Sequence, residues 1–191
     1  MTDKRDLSSH AFPHVYASLG IDVNKLGVVM ADTEPIHINE LVTKPDLDLY
    51  YAANPDHFWI RGSVAETGAH VTLLYGLLQS GVTWKSEINE VLSGWSLDEV
   101  EIESIGFFGN QLPDEDYVCI IAHIKKTPQL MEGNQRLSFL PHINTFATYR
   151  PHVTLAYIKP SAKNRWLKEL GTSLVGKKLA VTELNLGGNH A

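Results

Sequence analysis

Two hexapeptides carry the residues best suited to chemistry. Residues 70–75 read HVTLLY and residues 152–157 read HVTLAY, so five of six positions agree. In each copy a histidine stands two positions before a threonine. Residues i and i+2 of an extended strand share a face. His70 and Thr72 therefore point one way, as do His152 and Thr154. Val71, Leu73 and Tyr75 point the other way, as do Val153, Leu155 and Tyr157, and these apolar faces are expected to pack under helices. Tyr75 and Tyr157 are accordingly expected in the core. Two facing imidazoles suit phosphodiester cleavage. A neutral one can take a proton from an attacking oxygen, and a protonated one can give a proton to the leaving oxygen. An unperturbed pKa of ~6.5 permits both roles near neutral pH. The threonine hydroxyls can hydrogen-bond phosphate oxygens as charge develops there. This scheme calls for neither metal nor cofactor. A bare His-x-Ser/Thr tripeptide is a common chance event in a chain with nine histidines. Two copies inside near-identical apolar runs are not, and a repeat that kept only a packing unit would not hold both polar positions.

The elements that must position these motifs follow from hydrophobic periodicity. Short β-branched runs predict strands at His14–Leu19 and Gly27–Ala31. The proline-bearing stretch 33–67 reads as a long excursion, with a short helix over 36–42 and a short strand at Phe58–Arg61. A connection of that length is more often functional than idle. Beyond it, strands are expected at 69–78, Val100–Phe108, Asp116–Ile124, Tyr149–Ile158 and Lys178–Leu186. Helical spacing predicts helices at Thr83–Leu92, Gln129–Leu140 and Ala162–Leu170. Each hexapeptide is thus followed by a helix and another strand, as if two related lobes shared one plan. Strands and helices alternate along the chain, which favours an α+β sheet domain.

Composition narrows the function classes. The chain has 191 residues, 43% apolar and 20% charged, with a formal net charge of −6. It is long enough to bury a core without staples. A single cysteine, Cys119, precludes an intrachain disulfide and fits a reducing compartment. The first residues lack an apolar signal region, and no apolar run approaches the length of a membrane-spanning helix. The expected location is cytoplasmic, with no membrane partner. The acidic balance argues against an electrostatic grip on long nucleic acid, leaving small anionic ligands held by local groups. Oligomeric state is not legible.

Other residues carry weaker signals. Arg150 lies two residues before His152 and could clamp phosphate, or simply sit at a strand entrance. Trp59 and Phe58 could stack on a base or pack in the core; Phe107 and Phe108 are equally open. His10 and His14 have ligand spacing, but Pro13 spoils the helix and no further ligand joins them. His123 and His142 read as single solvated or hydrogen-bonded histidines, and Cys119 as an inert core thiol.

The paired H-x-T strands resemble the two-histidine phosphoesterase superfamily over roughly residues 14–186. That superfamily includes RNA 2′,3′-cyclic phosphodiesterases, 2′-5′ RNA ligase-like proteins and phage anti-CBASS enzymes that destroy cyclic-oligonucleotide signals. The resemblance implies a bilobal α+β fold with a central cleft, formed by residues 14–186 between an N-terminal arm (1–13) and a tail (187–191). By motif match His70 and His152 are the expected catalytic pair and Thr72 and Thr154 the phosphate ligands. GVVMADTEP and the long excursion before the first motif look more like the anti-CBASS group. In that group an N-terminal aromatic stacks on a base and a late acidic residue assists, for which Tyr16 and Glu183 are the nearest candidates. The implied partner is a small cyclic or 2′,3′-cyclic nucleotide. A nucleotide-sequestering module without turnover is the rival of another class, disfavoured by the intact histidines and threonines.

Overall fold

The computed structural model describes residues 26–36, 69–109, 118–144 and 148–187. The expected arm, the strands at His14–Leu19 and Phe58–Arg61, and all but Ile36 of the expected helix over 36–42 lie outside these residues. So do Tyr16 and Trp59.

Six strands are described: β1 (Gly27–Thr33), β2 (His70–Leu77), β3 (Glu99–Gly109), β4 (Val118–Ile124), β5 (His152–Ile158) and β6 (Lys178–Asn185). Three helices join them: α1 (Lys85–Val91), α2 (Pro128–Leu137) and α3 (Lys163–Leu174). The fold is mixed α+β. Proline at the first position of α2, and a Thr127 hydroxyl accepting from the Leu130 amide at 3.2 Å, set that helix start. α3 runs past the expected end at Leu170. Trp166, Leu170 and Leu174 bury one continuous stripe, and that burial outweighs the roughly 1 kcal/mol helix cost of Gly171.

The strands form one antiparallel sheet of order β2-β1-β6-β3-β4-β5. Exchanging β1, β2 and β3 for β4, β5 and β6 reads the same order backwards. The internal repeat is therefore a property of the topology, with the short β3–β6 ladder at its centre. Each repeat sends its last strand into the opposite half: β3 pairs with β4, and β6 with β1. The two halves are thus interleaved, not built from one repeat each.

Register shows a second symmetry. Opposite β1, β2 carries an extra residue at Leu73; opposite β4, β5 carries one at Leu155. These bulges occupy the same position in the two hexapeptides. One extra residue reverses the side-chain alternation beyond it. The expectation that Tyr75 and Tyr157 share a face with Val71 and Val153 is therefore corrected. Tyr157 is buried, but in a small cluster with Cys119 and Ile121 beside Phe108, separate from the main core. Tyr75 is half-buried.

The main core lies on the other face. Val29, Ala31, Val71, Leu73, Ile120, Ala122, Val153 and Leu155 meet Leu130 and Leu137 of α2 and Trp166 and Leu170 of α3 there. Although β2 and β5 end the sheet on opposite sides, they lie in contact. The chain after α2 fastens the outer edge of β2. The Leu78 amide donates to the Pro141 carbonyl, and the Ile143 amide to the Gly76 carbonyl. This satisfies groups an edge strand would otherwise leave open. Gly76 is required at that edge. Its φ is +95°, and a Cβ there would lie 2.3 Å from the Ile143 oxygen.

Candidate active site

Antiparallel register places the side chains of the histidine face in cross-strand rows. In one half, His70 stands opposite Asp32 and Thr72 opposite Met30; Asp32 in turn stands opposite Glu183. In the other, His152 stands opposite His123 and Thr154 opposite Ile121, while His123 adjoins Ser104 of β3. Directly opposed residues have Cβ atoms about 5 Å apart. Both H-x-T pairs are half-buried on their strands, alternating with fully buried Val71 and Val153. Among the described residues, neither threonine hydroxyl is used in a hydrogen bond, so both remain available to a ligand.

The two motifs are brought together. The Tyr149 hydroxyl, three residues before His152, donates to the Thr72 carbonyl at 2.9 Å. Burial pushes the Tyr149 phenol well above its ordinary range, so it stays a donor at any working pH. The Asn134 side-chain amide donates to the Leu73 carbonyl at 2.7 Å, holding the first bulge against α2. His70 is close enough to His152 to disfavour charge on it.

His152 is held in one tautomer. Its Nδ1 lies 2.8 Å from the Arg150 carbonyl. A carbonyl only accepts, so Nδ1 carries the proton and Nε2 is the free basic nitrogen. The Phe108 ring meets His152 edge-on, with centroids 4.9 Å apart, and limits rotation of the imidazole. The His152 pKa is lowered, first by burial and then by the neighbouring His123 and His70, against the raising effect of the Arg150 carbonyl. His123 is lowered too, by burial first; Glu103 opposes that and Arg150 adds to it. Gly106 makes room for this third imidazole, since a Cβ there would lie 2.5 Å from His123 Nε2.

The other sequence candidates are distributed as follows. Arg150 is exposed, and its backbone is what engages His152. Glu183 is exposed on β6, two strands from His70, ~10 Å by strand spacing. Phe108 belongs to the histidine face, whereas Phe107 lies under the Lys163 ammonium, 4.2 Å from its ring centroid. Sequence reasoning missed Asp32 and misread His123 as isolated. A faint signal was present: Val28-Val29-Met30-Ala31-Asp32 and Cys119-Ile120-Ile121-Ala122-His123 match in apolar character position by position. Asp32 and His123 close the two runs, each facing a motif histidine. Among the described residues no group of three or more His, Cys, Asp or Glu side chains could hold a metal ion. None of their helices is long and apolar enough to cross a membrane.

No protein-family model matches the chain, and no curated protein matches it in sequence. Solved structures do match. Usb1 of Kluyveromyces marxianus is similar with a TM-score of 0.50 at 11% identity, over 87% of this chain and 96% of that one. The same protein with uridine monophosphate matches with a TM-score of 0.50 at 10% identity, over 88% and 97%. At this identity the likeness is one of fold alone.

Proposed function

We propose that this chain is a two-histidine phosphodiesterase that hydrolyses cyclic oligonucleotide signals by His/His acid–base catalysis, with the two halves of the sheet acting as lobes around one cleft. The observation that carries the reading is the pair of H-x-T strands. They occupy equivalent, equally bulged positions of a pseudo-symmetric sheet, and its two ends bring His70 and His152 within electrostatic reach. In the reaction, the base takes the proton of an attacking hydroxyl or water as its oxygen bonds to phosphorus. The bond from phosphorus to the leaving oxygen breaks, and that oxygen keeps the electron pair and takes the proton of the acid. The Thr72 and Thr154 hydroxyls donate to the non-bridging oxygens as their charge grows. Proton exchange with solvent restores both imidazoles.

The acidic net charge and the resemblance of the N-terminal half to the anti-CBASS group support a small cyclic substrate. A second reading is an RNA-end 2′,3′-cyclic phosphodiesterase, favoured by the uridine monophosphate that the fold neighbour binds. Incubation in EDTA with cyclic dinucleotides, cyclic trinucleotides and 2′,3′-cyclic nucleotides, with products identified by mass, tests both. Linear products from a cyclic oligonucleotide support the first reading. Turnover of 2′,3′-cyclic ends alone supports the second. Binding without product would make the chain a sequestering module. Activity abolished by EDTA and restored by Zn²⁺ or Mn²⁺ would overturn the metal-independent scheme.

A further inference from the structure

Near-identical motifs leave the two histidines equivalent in sequence, yet acid–base cleavage needs them in opposite protonation states. The residues facing them break the equivalence. His70 faces the Asp32 carboxylate on β1; His152 faces the His123 imidazole on β4. Asp32 is fixed in place. Its Oδ2 accepts from the Asn185 amide at 3.0 Å, and its backbone carbonyl accepts from the Thr182 hydroxyl at 3.2 Å. Its Oδ1 is buried with no hydrogen-bond partner. Among the described residues no lysine or arginine pairs with it. The carboxylate is half-buried, and its cross-strand neighbour on the same face is His70. The neighbouring turn is equally fixed. The buried Thr33 amide donates to the Ala69 carbonyl at 2.8 Å, and its hydroxyl to the same oxygen at 3.3 Å, which locks the Asp32–His70 register.

We propose that Asp32 is a positioning residue whose anchored carboxylate holds His70 as the imidazolium that protonates the leaving oxygen, leaving His152 as the base. This rests on the phosphodiesterase reading above. A carboxylate at the directly opposed position favours the protonated imidazole. Among the described residues, Glu183, beyond Asp32 on β6, acts in the same direction from farther away, and His152 on β5 opposes it. His123 favours the neutral form of His152 by repulsion, while the Arg150 carbonyl favours its protonated form. His152 thus faces a second imidazole, and His70 an anchored carboxyl group.

Asp32→Asn keeps the shape and the Asn185 contact and removes the charge. The experiment follows the imidazole titrations by NMR in the intact chain, alongside the pH profile of kcat/KM. In Asp32→Asn the His70 titration is expected to move to lower pH, with His152 little changed. The alkaline limb of the activity profile should move down with it. Turnover above neutral pH should fall about 10-fold to 100-fold, and a phosphodiester with an activated leaving group should restore it. Asp32→Glu should retain most of the His70 behaviour, and Glu90→Gln, which removes one negative charge from exposed α1, should leave it unchanged. If Asp32→Asn does not fold, Asn185→Ala loosens the carboxylate and should move His70 part of the way. An unmoved His70 titration in a folded Asp32→Asn protein overturns the proposal whether or not any substrate has been found. A moved titration with no turnover of any phosphodiester by the wild-type chain supports the electrostatic pairing but removes the phosphodiesterase reading.

Discussion

The two halves of the sheet have the same strands, the same bulges and the same H-x-T pairs, but different neighbours. Around His152 an aromatic ring and a second imidazole adjoin: Phe108 lies edge-on against the ring beside the small cluster of Cys119, Ile121 and Tyr157, and His123 stands opposite on β4. Around His70 the neighbours are polar, with Asp32, Asn185 and Glu183 in adjoining positions. Burial lowers the proton affinity of the first imidazole; a carboxylate favours protonation of the second. The comparison teaches that repetition supplies geometry, two imidazoles and two hydroxyls at matched heights, while divergence of the facing strands supplies direction.

The largest effects should come from breaking the pair outright. His70→Ala and His152→Ala are each expected to lower turnover on the order of 10²–10⁴-fold. The double variant should lose less than the product of the two losses, because the groups act as a unit. Thr72→Val and Thr154→Val come next. Each removes one donor to the phosphate and should cost on the order of 10²-fold in kcat, with little change in melting temperature, because neither hydroxyl serves the fold among the described residues. A variant that melts early yet keeps its specific activity would show that threonine to be structural.

Tyr149→Phe tests the contact between the halves. It leaves the Thr72 carbonyl without its donor and should cost about 1 kcal/mol of stability. Because the bond links one motif to the approach of the other, activity should fall more than the melting curve suggests. Turnover equal to wild type would mean that the halves stay aligned without it.

His123→Gln is expected to have the smallest effect and the most specific. His123 is a secondary cause of the lowered His152 pKa, behind burial. Its removal should move the acid limb of kcat/KM upward slightly. The same shifts have a stability consequence. Both pKa values lie below the unfolded value of 6.5, so the unfolded chain binds more protons just below that pH. Stability conferred by these neutral imidazoles is full above pH 6.5, declines as pH falls below it, and levels off once the folded protein is itself protonated. His123→Gln should soften that decline in melting temperature. An acid limb that moves downward would contradict the arrangement.

The catalytic candidates were legible because a period-2 spacing of chemically useful residues was repeated inside recognisable apolar strands. The strands and helices of the described residues were legible for the same reason, to within a few residues. Tyr157 was not. A bulge adds one residue without changing composition, and the apolar run LAYI does not reveal where alternation reverses. Asp32 and His123 were missed for a different reason. Their importance lies in long-range register, Asp32 with His70 and His123 with His152, and a single chain carries no direct record of which strands pair. The topology was only half legible: strand-helix-strand units were visible, but not that each sends its last strand into the other half.

The account depends most directly on His70 and His152 serving one substrate in different roles. The decisive measurement compares His70→Ala and His152→Ala on a substrate with an ordinary leaving group and on the same phosphodiester with an activated one. An activated leaving group needs no proton, so it should rescue His70→Ala and leave His152→Ala inactive. Rescue of His152→Ala alone would reverse the assignment, and near-full turnover by both variants on every active substrate would contradict the paired-histidine site itself.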